Sequence, residues 1–179
     1  MGEREENQST EPEDVRVLTL PEDWPLIPYL VIILVGFAVA IIDFVFWQQL
    51  VFQFNILAIL GIISMIIGGV MRSYPRKTLA EAGFGSIWNT PRLKIVKGHK
   101  LVTTGFYKHV RHPIYTGEIF RDYCIPLLVS SLYGIIIMTV GIVFLLFRIR
   151  IEEDLLLDAF GEEYEEYKRR TKKLIPYIY

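Results

Sequence analysis

The stretch PLIPYLVIILVGFAVAIIDFVFWQQLVFQFNILAILGIISMIIGGVM, residues 25–71, decides the fold of this chain. Gln48 and Gln49 divide it into two apolar runs, residues 25–47 and 50–71. A helix of ~20 residues is long enough to cross the ~30 Å hydrocarbon layer of a membrane. The two runs therefore predict two spanning helices joined by a tight turn. Glycines that would permit close contact between these helices are Gly61, Gly68 and Gly69.

A second apolar pair, residues 113–131 and 132–147, follows after a long polar interval. Hydrophobic residues make up 52% of the 179 residues, a larger fraction than in a typical soluble domain. We therefore predict an all-α, polytopic membrane protein. It has four transmembrane helices in two hairpins, a loop between the hairpins and a helical C-terminal tail. Four crossings place both termini on the same side.

The basic residues are concentrated on one side of these predicted helices. Residues 72–112 contain nine lysines and arginines and one acid, whereas the turns on the opposite side contain no lysine or arginine. By the positive-inside rule, the long loop, both termini and the polar residues beside them face the cytoplasm. The net charge of −1 favours no nucleic-acid partner. The single cysteine, Cys124, permits neither an intramolecular disulfide nor a cysteine-based metal cluster, and no metal is expected.

The N-terminal segment differs from the rest of the chain. Its first 23 residues carry eight acids and two arginines, which is unlike a basic signal peptide. We predict a flexible acidic tail over residues 1–23, followed by a single domain over residues 24–179.

The densest group of polar side chains is GHKLVTTGFYKHVRHPIYTGE, residues 98–118. Pro113 suits the first turn of a helix, so this cluster precedes and then enters the third span. Basic and aromatic residues at such a place can simply anchor a helix in the headgroup region, or they can form a binding site. Within the third span, Arg121 can pair with Glu118, and these two with Asp122 form either a structural ion-pair cluster or a ligand site.

The fourth helix continues past its apolar part into RIRIEEDLLLDAFGEEYEEY. Arg148 and Glu152 are four residues apart and share one face, whereas Arg150 and Glu153 point elsewhere. They can serve as site residues or simply stabilise the helix as a pair. Gly161 is a predicted helix stop, and residues 162–170 are predicted to form a solvated surface helix.

Three sequence pieces carry a family resemblance: HKLVTTGFY, RHPIYTG, and RIRIEEDLLLDAFGEEYEEY followed by IP. In this order they resemble the C-terminal signature of the isoprenylcysteine carboxyl methyltransferase family. The match covers residues 84–176. The chain also resembles membrane phospholipid N-methyltransferases, which belong to the same superfamily. The resemblance implies an S-adenosylmethionine-dependent methyltransferase built from membrane helices.

The resemblance also implies which residues hold the cofactor, with Lys100 and Ile114 contributing only through their backbone. They are His99, Lys100, Leu101, Val102, Tyr107, His112, Pro113, Ile114, Tyr115 and Glu152. Aromatic faces suit the sulfonium and adenine, and an acid suits the amino group. Arg148 matches the position that the family uses near the methyl acceptor, which makes it the candidate catalytic and substrate-binding residue.

The acceptor implied is lipophilic and enters from the bilayer, and the α-carboxylate of a prenylated cysteine is favoured. This group is ionised at pH 7, so no general base is required; an amine acceptor would need one, and His112 is the candidate. The alternatives are methylation of a phospholipid or another lipid, or an NADPH-dependent reductase. RHPIYTGE and the terminal IPYIY also resemble membrane sterol reductases, in which Glu118 and Tyr179 would participate. A non-catalytic membrane scaffold is the remaining possibility.

Overall fold

The computed structural model describes residues 15–84, 94–96 and 100–175, and it is predominantly helical. The five α-helices of this part are α1 Leu26–Ile42, α2 Ile56–Leu79, α3 Pro113–Leu128, α4 Leu132–Phe160 and α5 Glu162–Arg170. Single π-helical turns, Asp43–Trp47 and Ala80–Phe84, follow α1 and α2.

Three of the described helices are long and apolar enough to cross a membrane: Leu26–Trp47, Ile56–Ala82 and Leu132–Phe160. The third predicted span is shorter than expected, because α3 has 16 residues and ends at Leu128 rather than at residue 131. At ~1.5 Å per residue, α3 extends for ~24 Å, which is less than the hydrocarbon thickness. The count of four crossings therefore stays a prediction.

The predicted two-residue turn between the first two helices is wrong. Residues 48–55 form the connection, and α2 begins only at Ile56, where the Asn55 side chain accepts a hydrogen bond from the Ala58 N–H at 3.0 Å. This cap satisfies one of the free donors of the first helical turn and fixes the helix start. At its other end, α2 continues beyond residue 71 through Pro75 to Leu79.

The helices pair differently from the predicted hairpins, because α1 packs chiefly against α4 and α2 chiefly against α3. A Cβ atom on Gly61 would lie 2.6 Å from the Leu128 nitrogen, and one on Gly68 would lie 2.8 Å from the Arg121 nitrogen. A Cβ atom on Gly69 would meet nothing within 4 Å. The glycines Gly61 and Gly68 therefore permit close approach of α2 to α3, not of α2 to α1.

The end of the predicted flexible tail belongs to the ordered structure. Strand β1 (Val15–Val17) pairs antiparallel with strand β2 (Lys94–Val96), so the fold is not purely α-helical. After it, Leu18 is 3% exposed and Asp23 is fully buried. Trp24 packs on Phe144 and Phe147 of α4, with ring centroids 6.2 and 5.6 Å apart. An apolar contact and a buried charge thus hold residues 18–24 against the helices.

The C-terminal segment returns to the loop in front of α3. The backbone N–H groups of Arg111 and His112 donate to the carbonyl oxygens of Lys172 (2.8 Å) and Lys173 (3.0 Å). The predicted stop at Gly161 is confirmed, since this residue has φ 54° and ends α4. However, α5 is not a fully solvated helix, because Tyr164 and Tyr167 on its inner face are 0% and 2% exposed.

Candidate active site

Most of the residues predicted to bind a cofactor lie together at one end of the helices. Tyr107 belongs to the 3-10 turn Gly105–Lys108, His112 is the N-cap of α3, and Pro113 and Tyr115 occupy the first turn of α3. These four residues are buried, and Glu152 of α4 faces them. Of the other predicted residues, Lys100 is exposed and Leu101, Val102 and Ile114 are half-buried, whereas His99 and Tyr179 lie outside the described residues.

The centre of this site is the imidazole of His112, which lies between two carboxylates. Its Nδ1 atom is 3.6 Å from Oε2 of Glu152, and its Nε2 atom is 3.3 Å from Oε1 of Glu153. The imidazole side chain is only 2% exposed. Its orientation is fixed from the backbone as well, because the His112 N–H donates to the Lys173 carbonyl.

The two carboxylates control the protonation of His112. Burial by itself lowers the pKa of this imidazole, but the two nearby carboxylates, Glu152 and Glu153, outweigh burial and raise the pKa above its ordinary value of 6.5. A doubly protonated ring can donate from Nε2 to Glu153 and carries a positive charge that attracts the Glu152 carboxylate on its other side. The site therefore favours an imidazolium at this position.

Glu153 is a site residue that the sequence reasoning missed, since it points away from the Arg148–Glu152 face of α4. Its side chain is 8% exposed and accepts from three cationic groups, with Arg111 Nε at 2.9 Å and Lys173 Nζ at 3.3 Å besides the His112 ring. The sequence did contain one indication of this role for Glu153, because the cationic residue Arg111 directly precedes His112. The neighbouring carboxylates Glu152 and Glu153 are both paired because the adjacent residues Arg111 and His112 face them.

Two buried polar atoms of this region have no hydrogen-bond partner among the described residues: Oε2 of Glu152 and the hydroxyl oxygen of Tyr164. His112 Nδ1 is just too far from Oε2 for a hydrogen bond. Burial raises the pKa of Tyr164 above its ordinary value, so its hydroxyl keeps the proton and can donate. Buried polar groups without partners are rare and mark places where a ligand or water is bound. An acceptor and a donor left open in this way fit a ligand that carries an ammonium group and a hydrogen-bond acceptor.

Arg148 was predicted to bind the methyl acceptor, but in the structure its guanidinium is already paired with Asp23. Its Nε donates to Oδ1 of Asp23 at 3.0 Å and its Nη2 to Oδ2 at 2.9 Å, which is a bidentate pair with a fully buried carboxylate. The guanidinium carbon lies 5.8 Å from the centroid of the Tyr115 ring, close enough for a cation–π contact. Asp23 was also missed, because the sequence assigned it to a flexible tail.

A second charged cluster lies where α1, α2 and α3 meet. The predicted pairing of Arg121 with Glu118 is confirmed. Glu118 also forms ion pairs with two residues of α2, since its Oε1 lies 3.1 Å from Nε of Arg72 and 3.1 Å from Nη2 of Arg76. Arg121 continues the cluster to Asp122, whose Oδ2 accepts from the Tyr29 hydroxyl at 2.5 Å. These contacts tie the three helices together.

Apolar helices of spanning length with a buried polar site at their ends define an integral membrane protein with a candidate ligand-binding site. Residues 57–158 match the isoprenylcysteine carboxyl methyltransferase (ICMT) family, and the chain belongs to this family. It is 31% identical over 137 residues to human protein-S-isoprenylcysteine O-methyltransferase, covering 75% of this chain and 46% of the relative. It is 34% identical over 79 residues to methanethiol S-methyltransferase of Crocosphaera subtropica, covering 44% and 30% respectively.

A solved structure supports the same fold. The structure described as the eukaryotic intramembrane Ras methyltransferase ICMT matches with a TM-score of 0.62 and 27% identity, over 84% of this chain and 53% of that one. The chain thus spans about half or less of the length of these two methyltransferases and of the solved structure.

Proposed function

We propose that this protein transfers a methyl group from S-adenosylmethionine to a lipophilic acceptor that enters from the bilayer, and that the acceptor group is the C-terminal carboxylate of a prenylated cysteine. Family membership and the names of its relatives support this activity. The observation that carries the proposal is the buried Oε2 atom of Glu152, which lies 3.6 Å from the His112 ring in an ion pair but has no hydrogen-bond partner among the described residues.

In this proposal Glu152 accepts from the amino group of the cofactor, a charge-assisted hydrogen bond. The first turn of α3 presents free backbone N–H groups, which suit the cofactor's carboxylate. Tyr107 and Tyr115 supply aromatic surface for the sulfonium and adenine. His112 keeps Glu152 ionised and oriented. We assign residues 99–102 and Ile114 to the same pocket, with Lys100 and Ile114 contributing only through their backbone.

The bound cofactor supplies an electrophilic methyl carbon on a cationic sulfur. Transfer of this methyl group to the acceptor oxygen would leave the sulfur, with the electron pair of the broken carbon–sulfur bond, as a neutral thioether. A carboxylate is already ionised, so no protein group has to remove a proton. The chain's contribution is to align the two reactants and exclude water, and such positioning can lower a barrier by ~7 to 11 kcal/mol.

Arg148 is proposed to bind the acceptor carboxylate through its planar guanidinium. Asp23 already occupies this guanidinium, so the acceptor has to share it with Asp23 or displace Asp23. Arg148→Lys keeps the charge but loses the fork, and it should abolish methylation while cofactor affinity is retained. Because this change also weakens a buried pair, the melting temperature of the variant must be measured alongside. Loss of cofactor affinity without loss of folding would contradict the assigned role.

A direct test of the function uses the purified full chain in detergent. It should bind S-adenosylhomocysteine and should transfer a tritiated methyl group from S-adenosylmethionine to an N-acylated prenylcysteine. The same prenylcysteine with its carboxyl group converted to an amide is the matched control and should remain unlabelled. Binding of NADPH in place of S-adenosylhomocysteine would instead support the reductase alternative.

The relative named methanethiol S-methyltransferase makes a small thiol the second candidate acceptor. Methylation of a thiol yields a neutral thioether and needs a thiolate, whereas methylation of a carboxylate yields an ester. Competition between prenylcysteine and methanethiol for the tritiated methyl group separates these acceptors. A phospholipid or other lipid acceptor would appear in the same assay as label in extracted lipids.

We also propose four membrane crossings, with both termini and the site in the cytoplasm. In a Cys124→Ser background, single cysteines at the exposed positions Lys100 and Lys172 should react with an impermeant reagent from the cytoplasmic side. A cysteine at the exposed position Gln49 should react only from the opposite side. Labelling of positions 100 and 172 from different sides would exclude this topology.

A further inference from the structure

A positively charged cleft lies beside the candidate active site, where the C-terminal segment returns to α3. Its volume is about 360 Å³, and apart from Thr171 the described residues that line it are all cationic. They are Arg111, Lys168, Arg169, Arg170, Lys172 and Lys173. We propose that this cleft binds the phosphate-bearing headgroup of an anionic membrane lipid. The proposal does not depend on the methyltransferase activity.

The walls of the cleft are fixed by hydrogen bonds, so it is not a feature of a loose tail. The Arg111 guanidinium donates to the carbonyl oxygens of Lys168 (3.1 Å) and Thr171 (2.5 Å), and the Lys172 N–H donates to the His109 carbonyl at 3.0 Å. The Thr171 hydroxyl donates to the Tyr167 carbonyl at 2.6 Å. The backbone therefore holds the cationic residues around one space before any ligand arrives.

The positive charge of the cleft is only partly balanced. Glu153 pairs with Arg111 and Lys173, while Glu165 and Glu166 make loose pairs with Arg169 and Arg170 at 3.5 and 3.9 Å. These last two pairs are solvent-exposed and contribute little.

Lys168 and Lys172 have no acidic partner among the side chains that the structure describes. Basic residues in the last turn of α5 also stabilise the helix dipole, but Arg111 and Lys172 lie outside this helix. Excess positive charge therefore remains for an anion.

The position of the cleft along the helices selects a lipid as the source of that anion. Arg111 lies just before Pro113, where α3 begins, and its partner Glu153 lies on α4 beyond the uncharged apolar run that ends at Phe147. The cleft is therefore at the level where the helices leave the hydrocarbon layer, which is the level of lipid phosphates. Clusters of lysine and arginine immediately outside a spanning helix attract anionic lipids in this way.

The test measures lipid binding to the full chain in detergent by native mass spectrometry. Phosphatidylserine should bind about tenfold more tightly than phosphatidylcholine, and Lys168→Gln with Lys172→Gln should remove most of this preference. The matched control replaces two exposed lysines away from the cleft, Lys77→Gln with Lys108→Gln, and should keep it. Melting temperatures of both double variants verify folding.

The other outcomes overturn the proposal. If both double variants lost the preference for phosphatidylserine to the same extent, the preference would come from the overall charge of the protein and not from a specific site in the cleft. Inorganic phosphate that competes as well as the lipid does would make the cleft a site for soluble anions. An acidic peptide that binds in a manner dependent on Lys168 and Lys172, while phosphatidylserine does not, would assign the cleft to a protein partner. No preference for phosphatidylserine over phosphatidylcholine would end the proposal.

Discussion

Replacing Glu152 by glutamine tests the candidate cofactor pocket most directly. The change keeps the size of the side chain and removes its negative charge, and it acts on a carboxylate whose Oε2 atom is buried without a donor among the described residues. If this atom accepts from the cofactor's ammonium group, the variant loses a charge-assisted hydrogen bond of ~1.5 to 3 kcal/mol. At ~1.4 kcal/mol per factor of ten, the affinity should fall by ~10- to 150-fold.

The assay is equilibrium binding of tritiated S-adenosylhomocysteine to the purified protein. Asp154→Asn is the matched control, because it removes one carboxylate from the exposed face of the same helix two residues further on, and its affinity should not change. His112 loses one of its two carboxylate neighbours in the Glu152→Gln variant, so melting temperatures without ligand must accompany the binding data. A loss of less than about threefold in a folded Glu152→Gln protein would refute the assignment of Glu152 to the cofactor.

Three further predictions concern packing, protonation and the second open polar atom. Gly68→Ala should destabilise the protein by ~1 to 3 kcal/mol in thermal unfolding, because its Cβ would lie 2.8 Å from the Arg121 backbone nitrogen, whereas Gly69→Ala should be nearly neutral. Because the pKa of His112 is raised in the folded protein, its interactions stabilise the fold fully below pH 6.5, and this stabilisation is lost as the pH rises through the folded-state pKa. The melting temperature should therefore fall over this pH range in the unmodified protein. The fall should be absent from His112→Gln. Tyr164→Phe should leave the ligand-free protein as stable or more stable but weaken cofactor binding ~2- to 12-fold, whereas a hydroxyl that meets only water would give no change in affinity.

Much of the helical framework could be predicted from the sequence, because the hydrophobic runs are long and their boundaries carry helix signals. Gly161 and Pro113 were located correctly at a helix end and a helix start for local reasons of backbone geometry. The pairing of the helices could not be predicted in the same way. Gly61 and Gly68 indicate a close contact, but their spacing does not say which helix fills it, and the neighbour is α3 rather than α1.

The candidate site was predicted where its residues are adjacent in the chain and missed where they are distant. His112, Pro113 and Tyr115 form one motif, whereas Asp23 and Arg148 are separated by 125 positions and no local pattern connects them. The error on α5 was avoidable. Its high acidic content suggested a solvated helix, yet Tyr164 and Tyr167 are three residues apart and so share one face, which is the spacing of an anchored helix.

The protonation of His112 bears on the choice among acceptors. An amine or a thiol must lose a proton before or during methyl transfer, so a methyltransferase for either needs a base near neutral pH. His112 is the histidine of the predicted site that the structure describes, and both its nitrogens face carboxylates that raise its pKa. An imidazolium held in this way cannot accept another proton. The arrangement therefore favours an acceptor that arrives already ionised, which a carboxylate does and a lipid amine does not. A thiol would be methylated at this site only to the extent that it enters as a thiolate. For the proposed carboxylate acceptor, we infer that His112 positions Glu152 and Glu153 and that no proton is transferred to the protein.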